Sequence, residues 1–282
     1  LRSAGRTAVV CGHGSGLVRD RLAGVADVDF FEQKEQRGTG HAVMQVTLSA
    51  YKDEFVIIMP GDTPLFDSEK ILKFVSGAVA EGLDASILTT LLDDPTGYGR
   101  VLRKNGMVAA IVEHREATPE QLEVREVNSG VYVVKKRFLE MYLERIENNN
   151  SQGEYYLTDI FKSMIDDGLA VGAYVYPESA ECMGVNSRKQ LMDANRYYKK
   201  RMIDRLTEQG VTINDPEGIF LNGELECGKD VELRSPVYIC GKVLIRPDTV
   251  VGPYAYLEDC IVESGVHGFV RKVNENTDSI IC

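Results

Sequence analysis

Two oxygen-bearing side chains stand where apolar strands give way to helices. Asp62 ends the run "IIMPGDTPL", and Asn186, in "CMGVNSRKQL", precedes a long helical pattern. A carboxylate at the carboxyl end of a strand can hold Mg²⁺ through hard oxygen contacts, with waters and substrate phosphates as the other ligands. The same Asp can cap a helix or close a turn. An Asn before a helix is an ordinary N-cap, and its amide oxygen is equally a metal donor. Glu113 in "IVEHRE" and Asn128 in "EVNSGV" can bond sugar hydroxyls, while Glu113 can also be a solvated strand-end charge. Gly99 in "GYGR" permits close backbone approach or bends a strand. In "EQKEQRGTGHAV", residues 32–43, Gly38, Thr39 and Gly40 precede a helical pattern. Glycines at a helix start let the backbone close on a phosphate or a flat ring.

The elements that must position these residues follow from apolar spacing. Residues 8–11, "VDFFE", "EFVIIMPGD", "ASILTTLL", "EVNSGVYVV" and "AVGAYVY" read as strands. Thr39 is a candidate N-cap for a helix carrying Val43, Val46 and Leu48, and "DSEKILKFVSGAVAEG" is an amphipathic helix stopped by Gly82. Helices follow around "RFLEMYLERI" and "EYYLTDIFKSMIDDG", and a long one runs from about 187 to 209 with Leu191, Ala194, Tyr198 and Met202 near one face. This alternation predicts an α/β fold with a mostly parallel sheet and helices on both faces. Asn105-Gly106 between two strand-like runs predicts a hairpin.

After Gly210 the helical period disappears. Leu225, Val231, Val237 and Val243 recur every six residues, with Leu233, Ile239 and Ile245 two places after the last three. A hexad repeat fits a parallel β-helix, although a β-meander is an alternative on periodicity alone. The spacing reads as slipping to seven at Val250 and Leu257.

Composition removes several functional classes. A formal charge of -11 without a basic block argues against nucleic-acid binding, so an anionic substrate needs locally placed cations, N–H groups or a metal. The six cysteines, at 11, 182, 227, 240, 260 and 282, show no C-x-x-C pair and no histidine at a ligand spacing. They read as reduced thiols rather than a zinc site. No apolar run approaches the roughly 18 residues that span a bilayer and no secretion signal is visible, so a cytoplasmic protein without membrane contact is expected.

Taken in order, "EQKEQRGTGHAV", "GDTPL", "GYGR", "IVEHRE", "EVNSGVY", "SQGEYYLTDI" and "GVNSRKQL", followed by the hexads, resemble the bacterial bifunctional N-acetylglucosamine-1-phosphate uridyltransferase / glucosamine-1-phosphate acetyltransferase family over about residues 5–262. The resemblance implies a nucleotide-sugar pyrophosphorylase domain, Rossmann-like with a mixed sheet, at 1–186. A linking helix at 187–209, a short left-handed parallel β-helix at 210–265 and an irregular tail at 266–282 would follow. It also implies a homotrimer formed through the β-helix. Asp62 and Asn186 match the family's catalytic Mg²⁺ ligands; Gln33 with the backbone of Gly38 and Thr39 matches its uracil site; Gly99, Glu113, Asn128 and Glu154 match its sugar pocket. The implied reaction joins UTP and N-acetylglucosamine 1-phosphate into UDP-N-acetylglucosamine and pyrophosphate.

The match also departs from the family. No segment here corresponds to the opening strand and the Arg- and Lys-bearing loop that hold the triphosphate, so impaired turnover and an open apolar sheet edge are expected. Pro60 stands where the family often has Tyr. Acetyl transfer needs further β-helix turns and a catalytic histidine, and His267 lies in no matching motif, so that activity is not expected. A non-catalytic nucleotide-sugar-binding subunit, or a pyrophosphorylase for another sugar 1-phosphate or nucleotide, are the alternative readings.

Overall fold

The computed structural model of the chain describes residues 5–263, 265 and 269–271. His267, Cys282 and most of the tail expected at 266–282 lie outside them. The chain divides into two compact units, Leu1–Asn186 and Ser187–Cys282.

In the first unit, strands β1 (Thr7–Cys11) and β2 (Val28–Glu32) pair in parallel around helix α1 (Ser15–Arg21) and form a sheet of their own. Helix α2 (Thr39–Met44) and a 3-10 turn at Leu48–Ala50 lead to β3 (Phe55–Ile58), helix α3 (Ser68–Ala80) and β4 (Ala85–Leu91). Then come β5 (Arg100–Lys104), β6 (Met107–Val112), the short α4 (Pro119–Leu122), β7 (Glu126–Lys135), α5 (Lys136–Leu143), α6 (Asp159–Asp166) and β8 (Val171–Val175). The main sheet has the order β6-β5-β7-β4-β8, with β3 also paired to β7.

The expectation of a mostly parallel sheet is corrected. Only β4 and β8 pair in parallel here, whereas β7 is antiparallel to β3, β4 and β5, and β5 is antiparallel to β6. Parallel neighbours require a crossover, usually a helix packed on the sheet, and α4 before β7 is too short to serve as one. The hairpin at Asn105-Gly106 is present, with positive φ at both residues and Lys104 facing Met107. Among the described pairings β3 touches only β7 and β1 only β2.

Strand alternation divides the core between the two faces of the sheet. Ile87, Tyr132 and Val134 pack with Leu139, Ile160, Phe161 and Met164 of α5 and α6. Leu88, Val131 and Val133 pack with Ile71, Phe74 and Ala78 of α3. Successive residues of a strand point to opposite faces, so helices on both sides are needed to cover them. Asp67 caps α3, its carboxylate accepting from the backbone N–H of Glu69 and Lys70, and Gly82 ends the turn that follows with a φ of 70°.

The second unit begins with helix α7 (Arg188–Glu208), whose buried residues are Ala194, Met202 and Leu206. Leu191 and Tyr198, expected on the same face, are exposed. Strands β9 (Thr212–Ile213), β10 (Ile219–Cys227), β11 (Glu232–Leu233), β12 (Val237–Ile245), β13 (Val250–Val251), β14 (Ala255–Glu258), β15 (Ile261–Val262) and β16 (Phe269–Arg271) all pair in parallel. Val237 pairs with Ile219 on one side and Ala255 on the other, so one turn of the coil is three hexads long.

The slip read at Val250 does not occur. Thr249 and Ala255 occupy the inward column after Val243, and Val251 and Leu257 occupy the one after Ile245, all at most 2% exposed. A polar and a small residue hid the column from an apolar count. Thr249 is accommodated because its hydroxyl donates to Pro247 O at 3.3 Å. The register does shorten later: Leu244 pairs with Ile261, one residue short of three hexads, and Ile261 is exposed while Val262 is buried.

Five cysteines, at 11, 182, 227, 240 and 260, are free thiols. Among the described residues no helix is long and apolar enough to cross a membrane.

Candidate active site

All the candidate residues lie in the first unit and fall into three neighbouring groups. Asp62 sits in an exposed turn past β3, and Asn186 ends the segment after the 3-10 turn Ser179–Cys182. The capping explanation fails for both. Asp67 caps α3, and Ser187 caps α7 by accepting from the Gln190 N–H. Instead the two side chains face Gly184: a Cβ built there would stand 3.1 Å from Asp62 Oδ2 and 3.3 Å from the Asn186 side-chain amide. The two segments are joined directly, because Val185 N–H donates to Asp62 O at 2.8 Å.

That arrangement suits a hard divalent cation. A carboxylate and an amide, whose oxygen and nitrogen are interchangeable by a flip, converge where Gly184 leaves room. No cluster of three or more His, Cys, Asp or Glu that could hold a metal occurs among the described residues. A Mg²⁺ ion at Asp62 and Asn186 would therefore take its other ligands from water and phosphate, as Mg²⁺ commonly does.

The second group is built by an irregularity in β7. The β4–β7 register jumps from Leu88↔Val131 to Thr89↔Asn128, which bulges Ser129 and Gly130 out of the ladder. Ser129 Oγ donates to Leu88 O at 2.7 Å, and Gly130 takes a φ of 80° with Pro60 close by. A bulge re-aims the adjacent side chain. Asn128 here donates to Tyr132 Oη at 2.6 Å and accepts from Gly130 N–H at 3.1 Å, and its own N–H donates to Gly99 O at 2.9 Å. Gly99 in turn faces Glu113: a Cβ on it would lie 3.5 Å from one carboxylate oxygen. "EVNSGV" read as plain strand from sequence, and Gly130 inside the run is the local sign of the bulge.

Glu113 accepts from Thr158 Oγ1 at 3.0 Å and borders a 340 Å³ cleft with Tyr156, Thr158, Asp159 and Asn150. Burial pushes the Glu113 carboxyl above its ordinary pKa; the Thr158 bond opposes this, and the Asp159 and Glu154 charges add to it. The folded protein thus holds this proton to higher pH than the unfolded chain does. Stability from this group is greatest below the ordinary carboxylate pKa and falls as pH rises through the raised value. Glu113→Gln should therefore melt no lower than the parent at neutral pH, with an advantage that fades toward acid. Melting curves from about pH 4 to about pH 8 check this, and a pH-independent difference would contradict it.

The third group is the glycine-rich turn. Gln33, 8% exposed, donates to Gly38 O at 3.1 Å and lies 3.0 Å from His41 Nδ1. Gly38, at φ 101°, is the N-cap of α2, so Thr39 is not the cap. The Thr39 hydroxyl instead accepts from Leu157 N–H at 3.1 Å, and Gly40 N–H donates to Tyr155 O at 2.8 Å. The turn is thereby fixed to the segment carrying Glu154, whose backbone is held by Asn150. Glu154 adjoins both this turn and Glu113.

Tyr98, next to Gly99, reaches toward the segment that carries Gly184 and Asn186. Its hydroxyl lies 3.5 Å from Met183 Sδ, and burial raises its pKa, with the Gly184 backbone opposing and the Asp62 charge contributing. Thr158 and Tyr98 were not singled out from sequence, since each meets its partner through the fold; nor were Tyr132 and His41, whose partners Asn128 and Gln33 lie four and eight residues away.

A sheet covered on both faces, with candidate ligand-binding groups at strand ends and turns, places those groups where open α/β sheets bind their ligands. Residues 15–201 match the nucleotidyl transferase family, and the chain belongs to that family. It is 40% identical over 274 residues to the bifunctional protein GlmU of Stutzerimonas stutzeri, covering 97% of this chain and 59% of that protein. It is 41% identical over 258 residues to the bifunctional protein GlmU of Caldanaerobacter subterraneus, covering 91% and 56%. The chain thus spans rather more than half the length of these relatives. In fold it is similar to a structure described as a glucose-1-phosphate thymidylyltransferase of Bacillus anthracis, at a TM-score of 0.54 and 18% identity over 67% of this chain and 74% of that one.

Proposed function

We propose that this chain carries the Mg²⁺-dependent uridylyl-transfer site that makes UDP-N-acetylglucosamine and pyrophosphate from UTP and N-acetylglucosamine 1-phosphate. The observation that carries the reading is the convergence of Asp62 and Asn186 on Gly184 beside the Asn128 bulge. The GlmU relatives support the same assignment.

In this reading Gln33 and the backbone of Gly38 and Thr39 hold the uracil ring. Gly99, Glu113, Asn128 and Glu154 hold the acetamido sugar. An oxygen of the sugar phosphate attacks the α-phosphorus of UTP; the new P–O bond forms as the bond to the β-phosphate oxygen breaks, and pyrophosphate leaves with that electron pair. The attacking phosphate is already ionised, so the chain's residues bind and align rather than move a proton. Bound Mg²⁺ supplies neutralisation of the phosphate charge. The C-terminal parallel coil is a left-handed β-helix in this reading, and a homotrimer forms through it.

Pyrophosphate release with UTP, Mg²⁺ and either N-acetylglucosamine 1-phosphate or glucose 1-phosphate tests the substrate. Binding of UDP-N-acetylglucosamine against UDP-glucose tests the sugar pocket separately. Preference for the acetamido sugar in both is expected; equal use or binding of the glucose compounds would reject the assignment.

A further inference from the structure

The group Lys70, Tyr176 and Glu181, buried at Tyr176 and Glu181 and half-buried at Lys70, ties together the two segments that carry Asp62 and Asn186. Glu181 is 1% exposed, in the 3-10 turn shortly before Asn186, and Lys70 lies in the first turn of α3 shortly after Asp62. A buried carboxylate is costly unless paired and hydrogen-bonded. Here Lys70 Nζ lies 3.3 Å from Glu181 Oε1 and 2.8 Å from Glu178 Oε2. The Tyr176 hydroxyl donates to Glu181, and it accepts from Asp67 N–H at 3.3 Å at the cap of α3. The Lys70 ammonium also stands 5.4 Å from the Tyr176 ring centroid.

One turn is thereby fastened to one helix start by an ion pair and a bridging hydroxyl. Nearer the site the same two segments meet again through the Val185 N–H bond to Asp62 O. Between these two fastenings run Cys182, Met183 and Gly184 on one side and Thr63, Pro64, Leu65 and Phe66 on the other. Leu65 and Cys182 are buried, and Phe66 packs edge-on to Tyr176 with ring centroids 5.5 Å apart. A change of charge at Glu181 or Lys70 should therefore alter the spacing between the two candidate metal donors.

We propose that Lys70, Tyr176 and Glu181 are positioning residues that set the separation of Asp62 and Asn186 for a divalent cation. This rests on the metal reading of those two residues, and the experiment separates the two ideas. Mn²⁺ binding to the chain is measured by electron paramagnetic resonance in the presence of UDP-N-acetylglucosamine, for the parent, Asp62→Asn, Glu181→Gln, Lys70→Met, Lys70→Arg and Tyr176→Phe, with melting temperatures alongside.

Glu181→Gln and Lys70→Met should each weaken Mn²⁺ binding by about tenfold, the scale at which groups that orient metal ligands act. Their combination should cost little more than either alone, because both break one linkage. Lys70→Arg, which keeps the charge, should retain most of the affinity. Tyr176→Phe removes only the bridging hydroxyl and carries the test if a charge variant does not fold; it should lower the affinity in the same direction. If Asp62→Asn weakens Mn²⁺ binding while Glu181→Gln, Lys70→Met and Tyr176→Phe lower only the melting temperature, the group is structural and the proposal fails. If Asp62→Asn itself has no effect, the metal reading fails and the proposal with it.

Discussion

Asp62→Ala is expected to lower Mg²⁺-dependent pyrophosphate release by about a hundredfold or more, the scale associated with losing one group that stabilises charge at a reacting phosphate. The folded chain should hardly notice. Asp62 is exposed, and its fixed contact, the acceptance of Val185 N–H, uses the backbone oxygen that alanine keeps. Exposed substitutions of this kind usually change stability by less than about 0.5 kcal/mol. The informative comparison is therefore rate against melting temperature in one preparation. A normal rate would take Asp62 out of the site, and a lost rate with a lowered melting temperature would make it a turn residue after all.

Asp62 also shows where sequence reading stops. Its place at the end of an apolar strand was legible, as were α3, the Asn105-Gly106 hairpin and the hexads, because each depends on neighbours a few residues away. Whether Asp62 or Asp67 caps α3, and whether Asn186 or Ser187 caps α7, depends on where the first helical turn begins. Sequence patterns fix such boundaries only to within a few residues. Once Asp67 and Ser187 are seen to take the caps, the capping explanation disappears for both candidate ligands, and only the turn explanation stands beside the metal reading of Asp62.

Other features were invisible for reasons of distance or polarity. The Thr39 hydroxyl finds its partner at Leu157, Glu113 finds Thr158, and Lys70 finds Glu181. No local pattern announces such pairs without the fold. The Asn128 bulge is masked because Ser129 and Gly130 are followed at once by the continuous apolar run of residues 131–134, which still reads as strand. The inward column of the coil as far as Ala255 is hidden in apolar spacing because Thr249 is polar and Ala255 small, although both are buried.

Gly38→Ala should destabilise the first unit by about 3 kcal/mol, even with no nucleotide present. Its φ of 101° is one that L side chains rarely adopt, and such strain costs on the order of 1–3 kcal/mol. A Cβ would also stand 2.7 Å from Tyr155 O and 2.9 Å from Tyr155 N, both backbone atoms. Those atoms cannot easily retreat, since Tyr155 N–H donates to Arg37 O and Tyr155 O accepts from Gly40 N–H, each at 2.8 Å. The melting temperature should fall by on the order of 10 °C. Gly61→Ala is the control: it has no atom within 4 Å of the added Cβ and should melt like the parent. What sits against Gly38 in the folded chain is thus the backbone of Tyr155, and any uracil ring would rest on a turn that this contact has already shaped. If Gly38→Ala melted normally and lost only its affinity for UTP, the order would be reversed, and the glycine would be there for the ligand rather than for the fold.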